Sequence, residues 1–203
     1  TGGSLLSKFQ VKVTTGQNFT GTLITDWTDV ITDISSDTYT DNWQLPSGVF
    51  DLMQPGTNYV SVRVFDVAGS TDVKVDAFYV LKDTSLPQIV LNFSGDDTWR
   101  KQAGTKYDVD FEDFESKLST GYYRIKSSTG GILKDWTVIF SSPGITSYTD
   151  DWEVDFNSLR EGTNYIDVRV YDSIGNYNEE PSLFYIKKDT TSPVITNNEA
   201  GGD

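Results

Sequence analysis

The chain has 203 residues with no Cys and no His, and its 30 Asp and Glu outweigh 16 Lys and Arg to give a formal charge of −14. Disulfides, thiolate chemistry and His-dependent nucleophilic triads are thereby excluded, and the commonest general base and zinc ligand are missing. So acidic a surface opposes nucleic-acid phosphates and anionic membranes, and with neither a signal peptide nor a membrane span the segment reads as a mature or excised region with no membrane insertion.

Val, Ile, Thr, Tyr, Phe and Trp recur in short runs broken by Gly, Asn, Asp, Ser and Pro. No helical spacing of apolar residues lasts beyond about two turns, so an all-β chain is predicted. The first strand signal is Phe9–Val13, followed by Asp26-Trp27 and by Tyr39-Thr40-Asp41-Asn42-Trp43. After a short insertion around Pro46-Ser47-Gly48 comes GTNYVSVRVFDVAG, from Gly56 to Gly69, which returns as GTNYIDVRVYDSIG from Gly162 to Gly175. Asp135-Trp136 and Tyr148–Trp152 repeat the earlier motifs, so counterparts lie 106 to 109 residues apart. In the second copy, strands are expected at Gln88–Phe93, Tyr107–Glu112, Gly121–Lys126, Ile132–Phe140, Thr146–Phe156, Asn164–Tyr171 and Ser182–Lys187. Short alternating strands of this number build a β-sandwich.

Strand pleating puts Val60, Val62 and Val64 on one face, and likewise Ile166, Val168 and Val170; these faces are expected to be core. Beyond each lies a turn in which Asp66 or Asp172 accepts backbone hydrogen bonds and Gly69 or Gly175 supplies a positive φ. Asp83-Thr84-Ser85-Leu86-Pro87 and Asp189-Thr190-Thr191-Ser192-Pro193 follow as matched junctions, the first too short to act as a free linker. If Phe9–Val13 aligns with Tyr123–Ser127, the first copy begins some two strands late. Residues 1–83 are then an incomplete sandwich and 84–189 a complete one. Residues 190–203 are an overhang whose Pro193-Val194-Ile195-Thr196-Asn197-Asn198 matches Pro87–Asn92.

The signature Gly-x-Asn-x-(Val/Ile)-x-Val-x-x-x-Asp-x-x-Gly holds Asn58, Asp66 and Gly69 in one copy and Asn164, Asp172 and Gly175 in the other. Together with the Asp-Thr-x-x-Pro junctions it resembles the immunoglobulin-like modules found in tandem in large microbial surface and secreted proteins, with fibronectin type III modules as near relatives. Leu159–Tyr165 looks like the fibronectin tyrosine corner, but the pleat places Asn164, not Tyr165, in phase with Ile166, which favours the microbial immunoglobulin-like reading. The resemblance implies two tandem immunoglobulin-like β-sandwich domains at the cell surface, with the signature residues in structural roles and no enzyme activity.

Paired carboxylates suit glycoside hydrolysis only across a cleft, which small repeated sandwiches seldom provide. Trp27, Trp43, Trp136 and Trp152 occupy matched positions and are expected to pack against the sandwich. Trp99 stands in a loop beside Asp96, Asp97, Arg100 and Lys101 and is the candidate for stacking on a glycan or seating a protein. Calcium is the one cofactor that the acidic side chains suggest. The acidic run Asp108, Asp110, Glu112, Asp113 and Glu115 offers oxygen ligands, as do Asp83 and Asp189 at the junctions, yet alternation alone places Asp108, Asp110 and Glu112 on a solvent face. Asn18-Phe19-Thr20 and Asn92-Phe93-Ser94 fit the N-glycosylation pattern.

An incomplete sandwich exposes apolar surface and unpaired backbone. Two origins for the missing strands fit. Residues 1–203 are a stretch of a longer array, or the strand Pro193–Asn198 of one copy completes the first domain of the next and builds a head-to-tail fibre. The expected function is a structural or assembly segment of an extracellular surface protein or filament, its partners copies of itself or neighbouring modules. The alternative is an adhesin, or a carbohydrate-binding accessory module of a secreted protein, with Trp99 against a glycan or surface protein.

Overall fold

The structure is a computed structural model that describes residues 3–93, 95, 97–199 and 201. The chain divides into two compact units, Thr1–Thr84 and Ser85–Asp203.

Unit 1 contains β1 (Leu6–Thr14), β2 (Leu23–Ile31), the short helix α1 (Val49–Leu52), β3 (Gly56–Asp66) and β4 (Thr71–Lys82). The strands form one antiparallel sheet in the order β2-β1-β3-β4. Its buried core is small: Val11, Val13 and Val60 from the sheet meet Val49 and Met53 from the helical turn.

Unit 2 adds the elements that unit 1 lacks. Before its four long strands come β5 (Gln88–Leu91), β6 (Trp99–Arg100), β7 (Lys106–Tyr107) and β8 (Val109–Glu112). The long strands are β9 (Leu118–Ser127), β10 (Ile132–Ile145), β13 (Gly162–Asp172) and β14 (Tyr177–Lys188), with β11 (Ser147–Tyr148), β12 (Trp152–Glu153) and a 3-10 turn (Phe156–Ser158) between β10 and β13. One sheet runs β10-β9-β13-β14-β6, with β6 parallel to β14, and a second runs β11-β8-β5. The predicted all-β sandwich is therefore present. Sixteen residues, among them Phe111, Leu118, Ile125, Ile166, Val168 and Val170, form the buried core between the sheets.

Several local expectations are corrected. The run Thr146–Phe156 is two short strands and a 3-10 turn, because its aromatic side chains are drawn in singly: Tyr148 stacks on Phe140 at 4.4 Å and Trp152 on Tyr123 at 5.6 Å. The last strand begins at Tyr177 rather than Ser182, and Ser182 sits in a bulge within it. The loop holding Trp99 contains the short strand β6.

The alignment of the first strand also shifts. Val62 pairs with Val11, and Val168, the counterpart of Val62, pairs with Tyr123. Phe9 therefore corresponds to Gly121, not to Tyr123. Across the neighbouring strand, Phe9 faces Ile31 while Gly121 faces Phe140. Each unit places one phenylalanine at this level, on opposite strands. A Cβ on Gly121 would lie 2.3 Å from the Phe140 ring, so the glycine is what admits that ring.

Candidate functional site

The signature residues hold turns. Asn58 and Asn164 are fully buried. Asn58 Oδ1 accepts from the Gln54 N–H at 3.2 Å and Nδ2 donates to the Gln54 and Gly56 carbonyls at 2.8 and 3.2 Å. Asn164 does the same with Arg160 and Gly162 at 3.0, 2.8 and 3.1 Å. The amide thus replaces the backbone partners lost where the chain enters the strand. Tyr165 is half-buried on the opposite face.

At the following hairpin, Asp66 Oδ1 accepts from the Ser70 N–H at 2.7 Å. Asp172 Oδ1 accepts from the N–H groups of Ile174, Gly175 and Asn176 at 3.0, 2.6 and 2.8 Å. Gly69 and Gly175 take φ of 87° and 99°, as the turn requires. A further pair was not singled out from sequence: Lys82 Nζ donates to the carbonyls of Phe50, Asp51 and Met53, and Lys188 Nζ to those of Phe156 and Leu159. Each cation closes the carbonyl end of a helical turn.

Both units also share a bulge in which three residues of the outer strand oppose one of the inner: Val75–Ala77 against Ser61, and Pro181–Leu183 against Asp167. The central residues, Asp76 and Ser182, have φ of 49° and 54°. Asp76 N–H donates to Ser61 Oγ at 2.9 Å, and Ser182 N–H to Asp167 Oδ1 at 2.8 Å. The acid and the hydroxyl have exchanged strands.

Asp167 is buried and bound by Arg124 and Lys126, each at 2.7 Å. Burial pushes its carboxyl pKa up, but Lys126, the Ser182 N–H and Arg124 outweigh burial and hold it below the usual value. Arg124 and Arg169 stack on Trp136 with guanidinium carbons 4.4 and 4.2 Å from the ring centroid, and Arg63 stacks on Trp27 at 4.4 Å. The matched tryptophans are thus engaged with the sheet, as are Trp152, buried and stacked on Tyr123, and Trp43, edge-on to Phe9 at 5.2 Å.

Trp99 is 57% exposed on β6, and Lys187 Nζ lies over its ring at 5.5 Å. Lys187 also pairs with Asp97, which accepts from the Tyr185 hydroxyl at 3.1 Å. Lys187 and then Tyr185 hold the Asp97 carboxyl below its usual pKa. One ring face is therefore occupied within the unit. Ser94 and Asp96, parts of the second sequon and of the Trp99 loop, lie outside the described residues.

Three acids of the run have local partners. Asn92 Nδ2 donates to Asp108 Oδ1 and Asp110 Oδ2 at 3.0 and 2.7 Å, and Asp113 Oδ1 accepts from the Lys117 N–H at 2.7 Å. Asp189 Oδ1 accepts from the Thr191 N–H and hydroxyl at 3.0 and 2.7 Å. Asn18 is exposed, with a φ of 54°. Among the described residues of 189–199 there is no strand, and Val194 and Ile195 are 88% and 96% exposed.

What remains is the inner face of unit 1. Leu6, Phe9, Ile34, Tyr39, Trp43, Val62 and Val64 line a groove of about 200 Å³. Leu6, Trp43, Val62 and Val64 are half-buried, whereas their counterparts Leu118, Trp152, Val168 and Val170 are buried. Phe78 is 38% exposed and its counterpart Phe184 only 4%. Unit 2 covers these positions with β5 and β8 and with Phe93 and Tyr107, whose rings lie 5.2 and 4.8 Å from that of Phe184. Its outer edge at Lys187 and Lys188 is paired by β6, while the matching Leu81 of unit 1 is 67% exposed. The open surface of unit 1 coincides with the ground that the segment β5–β8 covers in unit 2.

No family model matches the chain, and no curated protein matches it. Solved structures with a similar course include a tetra-tandem repeat in the extending region of a large adhesion protein, at 19% identity and a TM-score of 0.39 over 93% of this chain. The chain spans 43% of that structure. Fibronectin(III)-like modules of CbhA from Clostridium thermocellum are similar at 16% identity and a TM-score of 0.35, over 98% of this chain and 87% of theirs.

Proposed function

We propose that this chain is a structural and assembly segment of an extracellular multi-module protein: immunoglobulin-like units in series that supply reach, with the first unit as a joining point. The observation that carries this reading is that unit 1 is open where unit 2, built on the same sheet, is closed. An apolar face of this kind is satisfied by added strands. The strands come from a neighbouring module in the same protein or from the tail of another copy, which would make a head-to-tail fibre.

Sedimentation of the full chain across a concentration series, beside a chain ending at Ser192, separates these sources. Association that grows with concentration and vanishes with the tail identifies Pro193–Asn198 as the joining strand. A monomer at every concentration assigns the joint to a neighbouring module. A glycan array probed with the full chain and with Trp99→Ala tests the function itself. Saturable binding that depends on Trp99 would replace the structural reading with an adhesive one.

A further inference from the structure

Resting on that reading, we infer that the open face of unit 1 accepts a two-stranded segment with the side-chain pattern of β5 and β8, and that the single tail strand does not fill it. The internal repeat supplies the template. In unit 2, Ile89 and Leu91 from the first strand, Phe93 just beyond it, and Val109 and Phe111 from the second strand pack into the core that contains Val168 and Val170. Val62 and Val64 present the same floor in unit 1, and Phe78 presents the ring on which Phe93 closes in unit 2. Trp152 donates its indole N–H to the Val109 carbonyl at 3.3 Å. A strand seated like β8 brings the same carbonyl to Trp43.

The tail meets few of these demands. Aligned on its proline, Pro193 with Pro87, it puts Ile195 at the Ile89 position but Asn197 at that of Leu91 and Glu199 at that of Phe93. An amide and a carboxylate would then enter apolar sites with no partner, a cost that one isoleucine does not offset. A slip of one residue turns Val194, Thr196 and Asn198 inward and fares no better. The partner is therefore a strand pair with Ile, Leu and Phe alternating on one strand and Val and Phe on the other. Val13 and Val60 are already buried under α1, so the segment need only cover Leu6, Val62 and Val64 and the exposed ring of Phe78 on the strand beside Val60.

The test adds a synthetic peptide of residues 86–113 to the full chain and follows the Val62 and Val64 methyl groups and the Trp43 indole by NMR. The expected result is saturable one-to-one binding that moves these signals and slows amide exchange in residues 78–82. The same peptide carrying Ile89→Asp and Phe111→Asp should bind at least about a hundredfold more weakly, because each carboxylate enters an apolar site. A peptide of residues 190–199 should leave the signals unmoved. A second measurement serves if the peptide aggregates. Leu6 pairs with Asp66 as Leu118 pairs with Asp172, so residues 85–117 fused ahead of Leu6 rebuild a whole domain in one chain. That fusion should raise the unfolding midpoint of unit 1, and the double-Asp fusion should not. Equal binding by the double-Asp peptide, tight binding by 190–199, or an unchanged midpoint in the native fusion would overturn the inference. A chain that refuses the segment yet associates end to end through its tail overturns the inference alone and leaves the structural reading standing.

Discussion

At the scale of single residues, buried polar groups define the scaffold more sharply than the apolar ones. Asn164 satisfies an N–H and two carbonyls from a fully buried position, so Asn164→Ala strands backbone groups that water cannot reach. A loss of about 2–4 kcal/mol is expected for unit 2, at ~1–3 kcal/mol for each group left unpaired and partial relaxation of the turn. Urea denaturation followed at Trp152 and Trp136 would measure it. Asp167 makes a prediction about pH. Its folded pKa lies below the unfolded value of about 3.9, so its contribution is complete above about pH 5 and fades as pH falls toward the folded value. Asp167→Asn should lower the stability of unit 2 at pH 7 and flatten its dependence on pH below about pH 5. An equally steep acid limb in the variant would show that other carboxylates govern it.

At the scale of strands, the pattern of alternation carries some information and hides the rest. The two faces of β3 and β13 were legible, as was the phase that puts Asn164 beside Ile166, because a pleat has a period of two residues. The register of β1 was not, for the same reason: a slip of two residues leaves every side chain on its own face. Only the exchange of Phe9 and Ile31 for Gly121 and Phe140 fixes it, and that pair meets across strands. Gly121→Phe alone should destabilise unit 2 by at least about 2 kcal/mol through overpacking against Phe140. Combined with Phe140→Ile it rebuilds the arrangement of unit 1 and should recover most of the loss, which a double-mutant cycle reads directly. The groove was foreshadowed by the missing opening strands, but its lining needed the positions of Ile34 and Tyr39, which stand in irregular chain that carries no periodicity. Trp99 stood out in sequence for its loop; that Lys187 lies over its ring depends on a parallel pairing that no local motif announces.

At the scale of the whole chain, the main buried clusters of the two units hold five and sixteen of the described residues, and the units should therefore differ in stability. Burial of apolar surface drives folding at about 25 cal/mol per Å², so unit 1 should unfold first. Denaturant titration is expected to give two transitions, the earlier reported by amide exchange in β1 and β3 and the later by β9 and β13. A single transition shared by both sets of amides would contradict this. A segment that completes unit 1 would move the early transition toward the late one, so occupancy of the groove can be read as a change in cooperativity.

The exchanged acid and hydroxyl at the bulge constrain the order in which the two units came to differ. Unit 1 has Ser61 opposite Asp76, and unit 2 has Asp167 opposite Ser182. Passing from one arrangement to the other takes two substitutions, and the intermediate holds either two acids or two hydroxyls. Two carboxylates across one bulge repel, whereas two serines keep an acceptor for the outer-strand N–H. The open route therefore runs through serine at both positions. In unit 1, Asp76→Ser followed by Ser61→Asp should stay folded at each step, and Ser61→Asp made first should be the least stable of the four combinations.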